Sequence, residues 1–270
     1  MNVYQNDTNK EGNPIYATAK GTNTSDNFKF QDSQVIIDAL QASGFYLDTS
    51  SIGNPRKDEN RGFQKHLMIF RSGWTETKID DGNELTILVQ NAHNGTSSVR
   101  FSIGIYRAVC ANGLIVGDTL HEYRVNHRGK EFERNIIEAI ANVRHRFTEI
   151  KYVVGKMQNI ELNYDERRRL AWNALRVRVG EKEFSKISNW VTVIDQLLGT
   201  RRIQDEGYDI YTVFNKIQEN IMKGGFKYII NKDETIYNIK YKTLRKIKKG
   251  SDTDIKFNSG FWNEAMKYVA

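Results

Sequence analysis

Between Glu84 and Ile105 the chain alternates apolar and polar residues with a period of two, and past Gly129 that period gives way to one of three to four. Leu85, Ile87 and Val89 fall on one face of the first run. Val99, Phe101, Ile103 and Ile105 share a face of the second, with Arg100, Ser102 and Tyr106 opposite. Such alternation marks a half-buried strand. Asn94-Gly95 lies between the two runs and supplies residues suited to positive φ, so the strands should pair antiparallel. Beyond Gly129, the residues Phe132, Ile136, Ile140, Val143, Phe147, Ile150 and Val154 form one apolar stripe on a helix of about 35 Å. A sheet and a helix that each carry an apolar face bury one another most simply. The predicted class is therefore α+β: a central antiparallel sheet covered by a long helix, with a mostly helical C-terminal half. An intermolecular coiled coil is the other use of such a stripe, although about three heptads is short for one.

The remaining chain divides around that centre. Residues 1–27, rich in Asn, Thr, Gly and Ser, read as a flexible N-terminal tail or a loosely docked arm. Residues 28–160 carry the sheet and its packing helices. Residues 161–270 form a helical lobe with a basic strip, continuous with the same domain. A helix is predicted over 32–43, a loop over 47–62, and a hairpin of 63–71 with 74–79 around Ser72-Gly73. A short strand is expected at 122–126. In the second half, Asn163 and Glu166 have capping-box spacing, and helices are expected within 187–198 and 208–223, the latter stopping at Gly224-Gly225. A hairpin over 226–242 and a last helix over 261–269 complete the reading.

Composition narrows the setting. The one cysteine excludes an intrachain disulfide framework and suits a reducing cytoplasm, that of the host cell if the chain is phage-encoded. No signal-peptide run and no apolar stretch of about 18–20 residues occurs, so a soluble cytoplasmic protein without a membrane partner is expected. His93, Cys110, His121 and His127 lie close in sequence but lack the paired short spacing of a metal site, and no metal or cofactor is assigned. A buried cysteine and hydrogen-bonded histidines at strand ends are the simpler reading. Cys110 with His93 or His127 could form a nucleophilic pair, but AVCANGL offers no recognisable context for one. Asp80, Asp81 and Glu84 fit a solvated turn better than a nuclease centre. There is no P-loop, dinucleotide fingerprint or nucleophile elbow. No catalytic residue is assigned, and a binding protein is favoured over an enzyme.

The basic residues say more. Net charge is +7, from 40 Lys and Arg against 33 Asp and Glu. Lys240, Lys242, Arg245, Lys246, Lys248 and Lys249 crowd one short stretch, with Tyr237 and Tyr241 among them. A flexible cationic strip with aromatic rings suits single-stranded nucleic acid, since cations neutralise phosphates while rings stack on bases. A second cluster, Arg167, Arg168, Arg169, Arg176 and Arg178, follows one predicted helix, and Arg124, His127, Arg128 and Lys130 form a third. Each cluster alone could be solvated surface; three together favour a polyanion. Arg107, aimed by alternation toward the buried face, needs either an internal ion pair or a ligand.

Three elements carry a family resemblance: Asn91-Ala-His93-Asn94-Gly95-Thr96, then Arg107-Ala-Val-Cys110-Ala-Asn112-Gly113-Leu114, then His127-Arg128. The pattern resembles a phage/plasmid-like protein family, a domain of unknown function found in phages, prophages and plasmids. VFNKIQENIMKGG and FNSGFWNEA are similar to its later helices, so the likeness spans roughly residues 60–270. It implies a mobile-element setting and brings no catalytic residues; Asn91, His93, Asn94, Gly95, Cys110, Asn112 and Gly113 are motif residues without an assigned role. The function expected on these grounds is single-stranded DNA binding in phage replication, recombination, strand annealing or transcription, with DNA favoured over RNA. A module that inhibits or recruits a host protein is the alternative, and self-association through the long helix is compatible with either.

Overall fold

A computed structural model describes residues 12–269 except 23, 56, 81, 108–109, 117–121, 128–130, 232–238 and 249–250. The chain forms two compact units, Met1–Ala111 with Leu120–Phe147, and Asn112–Thr119 with Thr148–Ala270. The division falls inside the long helix, earlier than the 160/161 boundary expected from the sequence.

The first unit is built on an antiparallel sheet. Its path runs β1 (Phe45–Ile52), β2 (His66–Ser72), β4 (Asn83–Asn91) and β5 (Val99–Arg107); β6 (Cys110–Val116) follows β5 in the chain, and all but its first two residues belong to the second unit. The short strand β3 (Lys78–Asp80) pairs β4, and β7 (Tyr123–Val125) pairs β5. The β4–β5 hairpin is the predicted one, with Leu85 opposite Ile105, Ile87 opposite Ile103 and Val89 opposite Phe101. All six side chains are fully buried. Each such burial is worth roughly 1.5–3 kcal/mol relative to exposure. Gly95, at φ +73°, supplies the positive φ the reversal needs. On the opposite face Arg71 pairs with Glu84 at 2.8 Å and lies 3.9 Å from the Tyr106 ring centroid, which keeps that side polar.

α1 (Ser33–Ala42) is capped by Asp32, whose carboxylate accepts from the Gln34 amide. α2 (Phe132–Asn159) carries the predicted stripe, and Phe132, Ile136, Ile140, Val143, Phe147, Ile150 and Val154 are all buried. Within the first unit Phe147 meets Phe45 edge-on at 6.2 Å, and the Arg144 guanidinium lies 4.6 Å from the Trp74 ring. The described part of the N-terminal segment is anchored. Pro14 and Ile15 are buried, the Gly21 amide donates to the His93 carbonyl at 2.8 Å, and the Lys29 amide donates to the His127 carbonyl at 2.9 Å.

Two local expectations fail here. Residues 45–52 form the strand β1 and not a loop. The run 63–79 is not a hairpin: β2 pairs β1 and β4, while Trp74 opens a turn of 3-10 helix that leads into β3.

The second unit is mainly helical: α3 (Tyr164–Val179), α4 (Glu181–Phe184), α5 (Trp190–Leu198), α6 (Ile210–Lys223) and α7 (Asp252–Met266), with a hairpin of β8 (Lys227–Asn231) and β9 (Ile239–Thr243). Both halves of the Asn163/Glu166 capping box form. α6 is the central helix. Its Phe214 stacks on Phe261 at 4.3 Å, and Phe257 and Trp262 complete that aromatic core. Polar residues of α6 are buried because each has a partner: Asn220 donates to the Leu197 and Gly199 carbonyls, and Glu219 holds Arg202 at 2.8 Å. α7 begins nine residues earlier than the sequence suggested, at the Ser251 cap.

Candidate nucleic-acid interface

The basic strip is fixed by what surrounds it. β9 carries Lys240, Tyr241 and Lys242, and the chain then runs beside the end of α6. Leu244 and Ile247 are buried and act as anchors. Backbone bonds tie the segment down: Gly225 N–H to the Leu244 carbonyl at 2.8 Å, Leu244 N–H to Phe226 at 2.9 Å, and Ile247 N–H to Met222 at 2.9 Å. Gly224 allows the approach, since a Cβ there would lie 2.4 Å from the Leu244 carbonyl oxygen. Lys240, Tyr241, Arg245, Lys246 and Lys248 are exposed between and around the anchors. The described part of the strip, 240–248, expected to be flexible, is held by these bonds and anchors.

It borders a cavity of about 580 Å³ lined by Arg178, Val179, Glu183, Tyr228 and residues 240–245. Four of these side chains are cationic (Arg178, Lys240, Lys242 and Arg245) and one is a carboxylate. Glu183 accepts from both Tyr228 Oη and Lys242 Nζ. Burial pushes its carboxyl up, but those two hydrogen bonds and the charges of Lys242 and Arg178 outweigh it and hold the group below the usual carboxylate range. Burial and the Glu183 hydrogen bond push the Tyr228 hydroxyl up, so it stays a donor. Lys242 is thus tied down, while Arg178 donates to the Arg245 carbonyl at 3.1 Å and keeps its charge. Among the described residues no carboxylate meets Lys240, Arg245 or Lys246. Tyr241 is 66% exposed beside them. Fixed positive charge with one free aromatic face is what a phosphate-linked chain of bases can use.

The other expected basic residues do not converge here. Arg168 is committed to Asp195 at 2.8 Å and to the Tyr164 hydroxyl, and Arg176 lies 3.9 Å from Glu181. Arg124, in the first unit, is paired with Glu122, as is Arg100 opposite it at 3.7 Å. The Arg107 backbone ends β5 opposite Asn83, but its side chain is outside the described set. Arg128, Tyr237 and Lys249 also lie outside the described residues. Arg178 and Tyr228 complete the groove without having been singled out individually; Arg178 is the last basic residue of the α3 cluster, which was the available signal.

One motif histidine, His93, meets His66 in the first unit around a buried serine. Ser33 Oγ lies 3.1 Å from His66 Nε2, 3.2 Å from His93 Nε2 and 3.2 Å from the Asn91 amide. His66 Nδ1 faces the Gln64 carbonyl at 3.2 Å, and a carbonyl only accepts, so Nδ1 carries the proton. His66 Nε2 is therefore an acceptor for the Ser33 hydroxyl, whose oxygen accepts from the Asn91 amide, with His93 Nε2 within the same reach. Burial, helped by repulsion from His93, pushes His66 down to about 3. Burial and then repulsion from His127 push His93 down to about 4. Ser33, His66, His93 and Asn91 are no more than 1% exposed, so the set is a structural lock on α1, β2 and β4 with no access for a substrate. Cys110, Asn112 and Gly113 lie in β6, and their side chains are outside the described set. Among the described residues, no group of three or more His, Cys, Asp or Glu could hold a metal ion, and no helix is long and apolar enough to cross a membrane.

The chain is similar to the UPF0380 protein YfjQ of Escherichia coli (strain K12), with 30% identity over 251 residues, covering 92% of this chain and 85% of that protein. It is also similar to the UPF0380 protein YafZ of the same organism, with 29% identity over 248 residues and the same two coverages. No solved structure matches. Residues 22–262, nearly the whole described chain, match the domain of unknown function DUF932, and the protein belongs to that family.

Proposed function

We propose that the protein binds single-stranded nucleic acid, DNA in preference to RNA, along the groove between β9 and the end of α3. The observation that carries this reading is the exposed Tyr241 ring set among Lys240, Arg245 and Lys246, none of them neutralised by a carboxylate among the described residues. A groove of about 580 Å³ whose backbone is held by Leu244 and Ile247 needs little ordering of its main chain on binding. The setting we assign is a mobile genetic element, where such binding would serve replication, recombination or transcription, strand annealing included. Fluorescence anisotropy with a short single strand and with the matching duplex tests it. The single strand should bind more tightly, and Tyr241→Ala should weaken it by about 1–3 kcal/mol while Tyr241→Phe retains the affinity. Equal, weak binding of both nucleic acids, unaffected by Tyr241→Ala, would reject the reading and turn the search toward a host protein partner.

A further inference from the structure

The first unit holds a second cavity, of about 320 Å³, that the groove reading does not use. It is lined by Thr24, Ser25 and Phe28 of the anchored N-terminal segment, by residues 94–98 of the β4–β5 turn, Thr96 excepted, and by Asn126 and His127 after β7. The fold goes to some length to form it. The Gly21 and Lys29 amides clamp the N-terminal segment at both ends of the cavity, to the His93 and His127 carbonyls. A Cβ on Gly95 would already touch Thr24 at 3.6 Å, so the arm lies directly on the turn.

His127 is the telling residue. It is 5% exposed, and neither of its ring nitrogens makes a well-formed hydrogen bond, although buried polar atoms nearly always do. Phe28 stacks on it at 4.6 Å with an interplanar angle of 28°, and Phe132 lies 6.3 Å to another side. Burial pushes its pKa down against the weaker pull of the Lys29 carbonyl. The ring is therefore neutral at physiological pH, with one nitrogen donating and the other accepting. Among the described residues that line the cavity there is no Asp, Glu, Lys or Arg. The hydroxyls, amides and neutral imidazole of that lining suit an uncharged ligand with donors and acceptors on its edge and a flat face for Phe28.

We propose that this cavity binds a nucleobase, with His127, Asn94 and Asn126 reading its edge and the Ser97–Ser98 side supplying hydroxyls. The volume is at the small end of ligand sites, right for a base or a nucleoside and too small for a dinucleotide. The base could arrive as a free nucleoside or as a base turned out of a strand. Only the second source rests on the proposed function.

The test is long-range proton–nitrogen NMR of the full-length protein, which resolves the imidazole nitrogens of the five histidines. Adenosine, guanosine, cytidine and thymidine are titrated separately up to about 10 mM. The inference expects at least one of them to shift the His127 nitrogens saturably, with His145, exposed on α2, unmoved. Asn126→Ala should weaken that nucleoside about three- to tenfold, the loss of one neutral hydrogen bond. No His127 response to any nucleoside overturns the inference, whatever the protein does with oligonucleotides. A His127 response accompanied by a failure to bind oligonucleotides sustains this site as a nucleoside site and rejects the groove reading instead. The same shift on adding an oligonucleotide identifies the strand as the source of the base.

Discussion

Acid should loosen the first unit, and the buried histidines set the window. His66 and His93 have folded-state pKa values of about 3 and about 4, against about 6.5 for an unfolded imidazole. A depressed histidine favours the unfolded chain as pH falls, because only the unfolded chain takes up the proton. Its contribution is intact above about pH 6.5 and is lost progressively toward the folded value. From about pH 7.5 to about pH 5 the unfolded imidazole goes from about a tenth protonated to almost fully protonated, while both folded groups stay neutral, which costs ~2 kcal/mol per histidine. Together they remove ~4 kcal/mol from a stability that for ordinary domains is about 5–15 kcal/mol. Glu219 and Glu183, whose carboxyls are held below their ordinary values, contribute stability that is lost only below about pH 4.5, outside this window. Urea unfolding at the two pH values is the assay. With a slope near 3 kcal/mol per M, the midpoint should fall by about 1.3 M at the lower pH, and by about half that in His66→Gln. An unchanged or higher midpoint at the lower pH, or a His66 ring titrating near its ordinary value by NMR, would refute the argument.

Two further substitutions probe the second unit. Asn220→Ala strands the Leu197 and Gly199 carbonyls, each of which accepts from Asn220 at 2.9 Å, and should cost about 2–4 kcal/mol in urea unfolding; a loss under about 0.5 kcal/mol would mean that water takes over those carbonyls. Gly224→Ala places a side chain at φ 58°, ψ −146° and against the Leu244 oxygen, so about 2 kcal/mol or more should be lost, along with the position of the basic strip and its oligonucleotide affinity. A fully stable Gly224→Ala with unchanged binding would show that the strip is not held by this approach.

What the sequence disclosed depended on how local each determinant was. The β4–β5 hairpin was legible because its turn, Asn94-Gly95, and both alternating runs lie within one short stretch. The α2 stripe was legible because a helix repeats its instruction every turn. β1 was hidden since it is an edge strand, polar from Asp48 to Ser51, with a register shift between Leu47 and Thr49 that breaks alternation. β2 misled for the opposite reason: Leu67, Met68, Ile69 and Phe70 are buried on both faces, so periodicity could not say which strands flank it. The same distinction holds for the sites. Lys240, Tyr241, Lys242, Arg245, Lys246 and Lys248 were visible as a run, whereas the groove also needs Arg178, Glu183 and Tyr228, which only the fold assembles. His93 drew attention as possible chemistry, but Ser33, 58 residues from Asn91, and His66, which was not singled out, are what make it part of a buried lock.

The most direct measurement of the central claim is the affinity for a fluorescent single-stranded oligonucleotide across a salt series, for the unaltered protein and for the triple variant Lys240→Ala, Arg245→Ala, Lys246→Ala. If the groove engages three to five phosphates, the logarithm of the binding constant should fall with the logarithm of salt at a slope of about −2 to −4, and the variant should flatten it by about 2. A slope near zero, or a steep slope that the three substitutions leave unchanged, would contradict the account.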